Sequence, residues 1–291
     1  MSGAATWRQA TARVSRQTPY GAGYLWLDLD LPRGFVVPAP GQFVQLLLPP
    51  SRTAALLPRP MSVAAVRRRG AGLTLGFLYA AVGTGTRALA ALERGAAVEV
   101  LGPLGRGFPL DAPGAPVLVA GGRGVAPLLF LAEALAASGR RCTFLFGART
   151  RAHLVGLAEA RARLGRAGGR LQLCTDDGSR GERGTVMALM ERLERRLPRP
   201  AVVHACGPHG MLRAIARWGL SRGVPCHLAM ESVMACGTGV CRGCPLPRSP
   251  QGRAGFEGAA APSLFGNRDY AMCCTEGPVF EAHDLDWDRI E

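Results

Sequence analysis

The sequence predicts a multi-domain chain of α/β and β parts: an N-terminal antiparallel β-barrel, a doubly wound parallel α/β domain, and a C-terminal loop region carrying a cysteine cluster. Three observations support this. Short alternating or β-branched runs, punctuated by Gly and Pro, fill residues 1–112 and read as an antiparallel sheet or barrel. Strand-like and helical stretches then alternate over 113–226, the pattern of a parallel sheet with helices on both faces. Cysteines gather in 227–291 around a Gly-, Pro- and Ala-rich segment, Pro245 to Gly266, that reads as a loop.

In the first region the expected strands are Tyr24–Leu31, Gln42–Leu48, Leu73–Ala80 and Ala97–Leu101, divided by turn signals such as Pro40-Gly41 and Gly70-Ala71-Gly72. In the second, strands are expected at Pro116–Ala120, Arg141–Phe146, Leu171–Thr175 and Ala201–Cys206. Helices are expected up to Ala137 and over His153–Leu164, Val186–Arg196 and Met211–Arg222. There is no internal repeat.

The bulk composition bounds the function. At 291 residues and 48% hydrophobic, the chain can bury the cores of two or three domains. Its longest apolar stretches are too short to cross a bilayer, and Met1 to Val14 has no continuous apolar run of the kind a secretory signal needs. A soluble, cytoplasmic protein without a membrane partner is the expectation. The net charge is +14, yet all 35 basic residues are Arg, scattered along the chain, and aromatics make up only 6%. A nucleic-acid binder groups its cations on one face with aromatics for stacking. An Arg-rich nucleic-acid-binding protein is therefore the weaker reading, and the excess charge is better suited to attracting phosphate-bearing cofactors.

The cysteines carry the sharpest signal. Cys142, Cys174 and Cys226 stand alone in apolar surroundings and read as small buried hydrophobes. Cys236-x4-Cys241-x2-Cys244, with Cys273 and Cys274 about thirty residues on, has the plant-type spacing of a [2Fe–2S] centre. Gly237, Gly239 and Gly243 interleave the thiols and free the loop to turn them inward. Structural zinc usually shows paired C-x2-C knuckles, and only one occurs here. Spacing alone leaves Cys273 and Cys274 both open as the fourth ligand.

Three further segments suit phosphates and rings. Arg59-Pro60-Met61-Ser62 places a cation three residues before a hydroxyl, across one Pro-Met step, a combination able to meet a pyrophosphate and a flavin edge. Gly83-Thr84-Gly85-Thr86 opens a helical run, a phosphate-accepting arrangement. Val117 to Ala120 runs into Gly121-Gly122-Arg123-Gly124 and then a helix, the layout used for dinucleotide pyrophosphates. Cys206-Gly207-Pro208 follows another strand; its thiol reads equally as a buried strand end or as a group set against a nicotinamide. Arg149 and Arg151 could meet a 2′-phosphate, which leaves NAD and NADP both open.

In this order the motifs resemble the ferredoxin–NADP reductase superfamily, and within it the electron-transfer subunits of B-type dihydroorotate dehydrogenase. The likeness rests on RPMS at 59–62, LGPLGRGFPL at 101–110, GGRGVAPL at 121–128, TDDGSRGERGTV at 175–186, CGPHGML at 206–212, MESVMACGTGVCRGC at 230–244 and CTEGPVF at 274–280. It implies a flavin-binding barrel, a nicotinamide-binding α/β domain and a C-terminal [2Fe–2S] region. Arg59 to Ser62 would hold FAD, with Leu78, Tyr79 and Ala80 beside it and Gly85 and Thr86 at its phosphates. Gly121, Gly122, Gly124, Gly207 and Pro208 would meet NAD, with Cys206 near the nicotinamide and flavin. The x-x-Gly-Pro-Val-Phe that follows Cys274 selects it, with Cys236, Cys241 and Cys244, as cluster ligand.

The likeness also implies a partner, an FMN-containing dihydroorotate dehydrogenase catalytic subunit, in a heterotetramer of two of each chain. Electrons would pass from that FMN through [2Fe–2S] and FAD to NAD⁺ in pyrimidine biosynthesis. The alternative reading is a related FAD/[2Fe–2S] NAD(P)H reductase subunit with another partner, as in a sulfide dehydrogenase, a ferredoxin:NADP transhydrogenase or a hydrogenase diaphorase. The chain departs from the family at Ala80, where an Arg is usual, at Arg123, where a third consecutive Gly is usual, and in a longer segment between Cys244 and Cys274.

Overall fold

A computed structural model describes residues 7–49, 54–70, 72–197, 199–257 and 266–290. The first sheet contains β1 (Arg8–Gly21), β2 (Tyr24–Leu31), β3 (Phe43–Leu47), β4 (Arg59–Ser62), β5 (Ala65–Arg69), β6 (Gly72–Ala80) and β7 (Ala97–Leu104). Their order is β4-β3-β7-β1-β2-β6-β5, with every pair antiparallel. Between the edge strands β4 and β5, the N–H groups of Val63 and Ala64 donate to the Gln42 and Gly76 carbonyls at 3.3 and 2.8 Å. These bonds tie both edges back to the sheet, which rolls around Leu27, Leu29, Leu75, Phe77 and Val100. Helix α1 (Thr84–Ala90) joins β6 to β7, and the Gly83 N–H donates to Thr86 Oγ1 at its start.

The longest strand, β1, has no counterpart among the expected ones. Its inward positions, Ala12 and Val14, are small, and Arg, Gln and Thr occupy much of the rest. Pairing on both sides, with β2 and β7, holds it where local propensity is weak.

The second sheet is built from β8 (Ala115–Gly121), β9 (Thr143–Ala148), β10 (Arg170–Thr175), β11 (Glu182–Arg183), β12 (Ala201–Cys206) and β13 (Cys226–Ala229), all parallel, in the order β11-β10-β9-β8-β12-β13. Alternation along its strands serves two cores. Leu118, Ala120, Phe144 and Phe146 pack against α2 (Val125–Ala137) and α3 (Leu157–Ala167). Val117, Val119, Leu145, Val203 and Ala205 pack against α4 (Val186–Leu193) and α5 (His209–Arg222).

The C-terminal region is woven into this sheet. The expected boundary at 226/227 falls inside β13, and β16 (Val279–Glu281) pairs antiparallel with β13 as the sheet's last strand. The expected loop from Pro245 to Gly266 is corrected in part: it contains β14 (Pro245–Pro247) and α6 (Pro250–Glu257), and β14 pairs with β15 (Tyr270–Met272). A three-residue strand that begins and ends with Pro gives no period to read, and α6 is anchored by backbone contact. A Cβ on Gly252 would stand 2.1 Å from the Asp284 carbonyl oxygen.

Barrel and α/β sheet share side-chain packing. Trp26, Ala65 and Leu78 join Val125, Ala126 and Leu129 of α2 in one cluster. Phe43 and Leu104 join Met234, Cys244 and Cys274 in another. The Tyr20 hydroxyl donates to Glu159, and the Tyr24 ring meets His153 edge-on at 6.4 Å. Among the described residues no helix is long and apolar enough to cross a membrane.

Candidate functional site

The strand order of the second sheet reverses between β8 and β12. In open α/β sheets, ligands bind at the carboxyl ends of the strands at such a reversal. Two clefts meet there. The larger, of about 840 Å³, runs along that sheet edge past Gly121 to Gly124, Arg149, Asp176, Gly207 and Pro208. The smaller, of about 260 Å³, lies between barrel and sheet, walled by Phe43, Met61, Tyr79, Cys206, Met230 and Pro278. Ala80, Val82, Arg123 and Glu231 line both.

Most of the expected flavin contacts come together at the smaller pocket: Pro60, Met61 and Ser62 from β4, Leu78, Tyr79 and Ala80 from β6, and Thr86 from α1. Arg59 and Gly85 do not line it. They line a neighbouring recess of about 50 Å³, where a Cβ on Gly85 would lie 3.1 Å from Arg59 Cδ. Arg59 Nη2 donates to the Leu57 carbonyl at 2.6 Å, while its buried Nε has no partner. A cation with an uncommitted buried N–H, next to the first turn of α1, fits a pyrophosphate. Tyr79 is held in place through its hydroxyl, which donates to Gln17 Oε1 at 3.0 Å, and burial pushes its pKa up.

The glycine turn after β8 is shaped by the protein's own packing. A Cβ on Gly124 would stand 2.0 Å from the Cys206 carbonyl oxygen, and one on Gly207 would stand 2.4 Å from Met211 Cε. These glycines let the ends of β8 and β12 touch. Gly122 differs: its φ is +52° and nothing lies within 4 Å of where its Cβ would be, so its backbone is open to a ligand. Arg123 reaches over the junction of the clefts, its Nη2 3.9 Å from Glu231 Oε2. Cys206 is buried on the wall of the smaller pocket, where burial and the nearby Glu231 charge push its thiol pKa up. It stays protonated, a neutral group rather than a nucleophile. Of the two arginines weighed for a 2′-phosphate, Arg149 lines the larger cleft; Arg151 does not, and its N–H donates to Ser179 Oγ at 2.7 Å.

The cysteine loop folds over β3. Gln45, fully buried, donates to the Met234 carbonyl at 3.2 Å, and Gly237 packs against its side chain. Four N–H groups point at sulfur: Thr238 and Cys241 toward Cys236 Sγ at 3.4 and 3.5 Å, Gly243 toward Cys241 Sγ at 3.4 Å, and Cys274 toward Cys244 Sγ at 3.4 Å. Burial pushes the Cys236 thiol up, but the Cys241 and Thr238 N–H groups outweigh it and bring it to about 6. The thiol hydrogen bond from Cys274 holds Cys244 down at about 7. The sulfurs thus form two pairs, Cys236 with Cys241 near the surface and Cys244 with Cys274 inside.

Among the described residues no three His, Cys, Asp or Glu side chains converge on a single metal ion. Two separate pairs, with N–H groups directed at their sulfurs, fit a two-iron cluster, in which each iron takes two thiolates, better than one tetrahedral zinc. Cys273 stands apart, fully buried, with Sγ 4.0 Å from the Met230 carbonyl. The loop's left-handed residues are Gly237, Gly239 and Arg242 rather than Gly243. Sequence reasoning did not single out Glu231, Asp176, Gln45 or Met234. Glu231 and Met234 lie inside the recognised MESVMACG segment and Asp176 inside TDDGSRGERGTV, while Gln45 gives no signal of its own.

Comparison with known proteins identifies the family. Residues 118–217 match the family described as oxidoreductase NAD-binding domain. The chain is 34% identical over 265 residues to the dihydroorotate dehydrogenase B (NAD(+)) electron transfer subunit of Desulforamulus reducens, covering 90% of this chain and 92% of that one. To the subunit of the same name from Bacillus caldolyticus it is 36% identical over 249 residues, covering 84% and 86%. The solved structure of an NADH-dependent reduced ferredoxin-NADP oxidoreductase superposes with a TM-score of 0.76 at 26% identity, over 99% of this chain and 92% of that one. With two relatives above 30% identity along most of its length, the chain belongs to the family of dihydroorotate dehydrogenase B (NAD⁺) electron transfer subunits.

Proposed function

We propose that this chain is the NAD⁺-facing relay of a dihydroorotate-oxidising complex. In this reading FAD occupies the smaller pocket, NAD⁺ the larger cleft, and Cys236, Cys241, Cys244 and Cys274 hold a [2Fe–2S] cluster. The partner is an FMN-bearing catalytic subunit, in a heterotetramer of two of each chain. The observation that carries the reading is contiguity. The two clefts share four residues, and Met234, on the smaller pocket's wall, lies two residues before Cys236.

Bound FAD supplies the conversion between electron pairs, which nicotinamide exchanges, and the single electrons a cluster carries. The chain's own groups supply position and exclusion. Arg59 neutralises the flavin pyrophosphate, Thr86 at the start of α1 helps to orient it, and Ser62 presents a hydroxyl to the ring edge. Met61, Tyr79 and Pro278 keep water from the ring faces. Gly122 offers open backbone to the dinucleotide pyrophosphate, and Arg123 adds a cation where the clefts meet. Cys206, kept neutral by burial, sets the approach of nicotinamide to flavin without attacking either. Asp176, on the larger cleft with Arg149, suits the ribose hydroxyls of NAD and repels a 2′-phosphate.

The test is composition and division of labour. The purified chain is expected to carry one FAD and one two-iron cluster, to reduce an artificial dye with NADH, and to leave dihydroorotate untouched until an FMN-bearing partner is added. Zinc in place of iron, or dihydroorotate oxidation by this chain alone, would overturn the reading.

A further inference from the structure

The segment between Cys244 and Cys274 is anchored by a buried ion pair, Arg248 with Glu276. β14 starts directly after Cys244 and β15 ends directly before Cys273, with Pro245 opposite Met272. The Cys273 N–H donates to the Cys244 carbonyl at 2.9 Å. The ladder therefore brings Cys244 beside Cys274. Just past β14, the Arg248 guanidinium, in a residue only 7% exposed, donates from Nη2 to Glu276 Oε2 and from Nε to the Asn267 carbonyl at 2.9 Å. It also lies 4.9 Å over the Phe256 ring of α6. Glu276, 8% exposed and two residues past Cys274, accepts the Met272 N–H at 2.9 Å through Oε1. One cation thus gathers α6, residue 267 and the Cys273–Glu276 turn.

A buried pair of this kind adds little net stability, because desolvation offsets most of the attraction. Position and charge are what it delivers. We propose that Arg248 and Glu276 are positioning residues for the buried half of the cluster: they fix Cys274 against Cys244 and present that half with two opposite charges that cancel. This rests on the cluster assignment above.

Removing one partner leaves the other's charge uncompensated in a low-dielectric site. In the full chain, Arg248→Gln is expected to lower the cluster's midpoint potential and Glu276→Gln to raise it, read by EPR-monitored redox titration. The double variant should return toward wild type. Shifts of the same sign, or none, overturn the proposal. If a single variant holds no cluster, retained FAD together with a cluster-bearing Arg248→Lys supports it. Joint loss of FAD and cluster overturns it, since the pair would then serve the fold at large. A wild-type chain without iron or an EPR signal would instead remove the cluster reading itself.

Discussion

Acidification from pH 7.5 to pH 5 should cost the protein about 2 kcal/mol through a single side chain, His204. It lies in β12, fully buried, with the Phe108 ring edge-on at 5.5 Å and the His227 ring stacked at 5.2 Å. Neither ring nitrogen has a hydrogen-bond partner. Burial, and then the nearby charges of His227 and Arg140, lower its pKa from 6.5 to about 3. Between those values the unfolded chain binds a proton that the folded one refuses, so stability falls as pH falls. At pH 5, about 1.5 units below the unfolded value, the loss is about 2 kcal/mol. Burial lowers His227 as well, against the opposing charges of Glu281 and Asp284, and adds in the same direction. Urea unfolding followed by circular dichroism at both pH values measures the loss. His204→Leu, of similar volume, removes the titrating ring and an unpaired buried donor. It should be at least as stable at pH 7.5 and lose about 2 kcal/mol less on acidification. Equal losses in the two proteins, or NMR titration of His204 near 6.5, would refute the argument.

Two further predictions concern the site. Cys274→Ser should abolish or rearrange the cluster EPR signal while Cys273→Ser leaves it, because Cys273 Sγ faces the Met230 carbonyl, whereas Cys274 pairs with Cys244; the opposite outcome would exchange their roles. Gly124→Ala puts a Cβ 2.0 Å from the Cys206 carbonyl oxygen, so the ends of β8 and β12 must part. Overpacking of this kind costs about 1–3 kcal/mol, and NADH titration should show weakened binding with FAD retained.

What the sequence revealed follows from how much each element depends on itself. Tyr24–Leu31 and Ala201–Cys206 emerge as strands at the expected residues because each is a continuous apolar or alternating run. β1, β13, β15 and β16 owe their state to neighbours, and no local pattern marks them. The site divides in the same way. RPMS, the glycine turn and the cysteine spacing are contiguous and legible. Glu231 and Asp176 are single carboxylates whose role depends on which clefts the fold opens around them. Gly243 drew attention by composition, yet the left-handed residue beside it is Arg242, a conformation only coordinates disclose.

The β14–β15 ladder has a consequence for how such chains change over time. It closes the long segment at its base, and Arg248 ties residue 267 to Glu276 beside it, so a change of length between α6 and residue 267 leaves both anchor points in place. Lengthening an already closed loop is thermodynamically mild, about 0.6 kcal/mol for each doubling. That stretch can therefore grow, shrink or receive a grafted module while the paired residues Pro245–Pro247 and Tyr270–Met272 hold Cys244 and Cys273 in register.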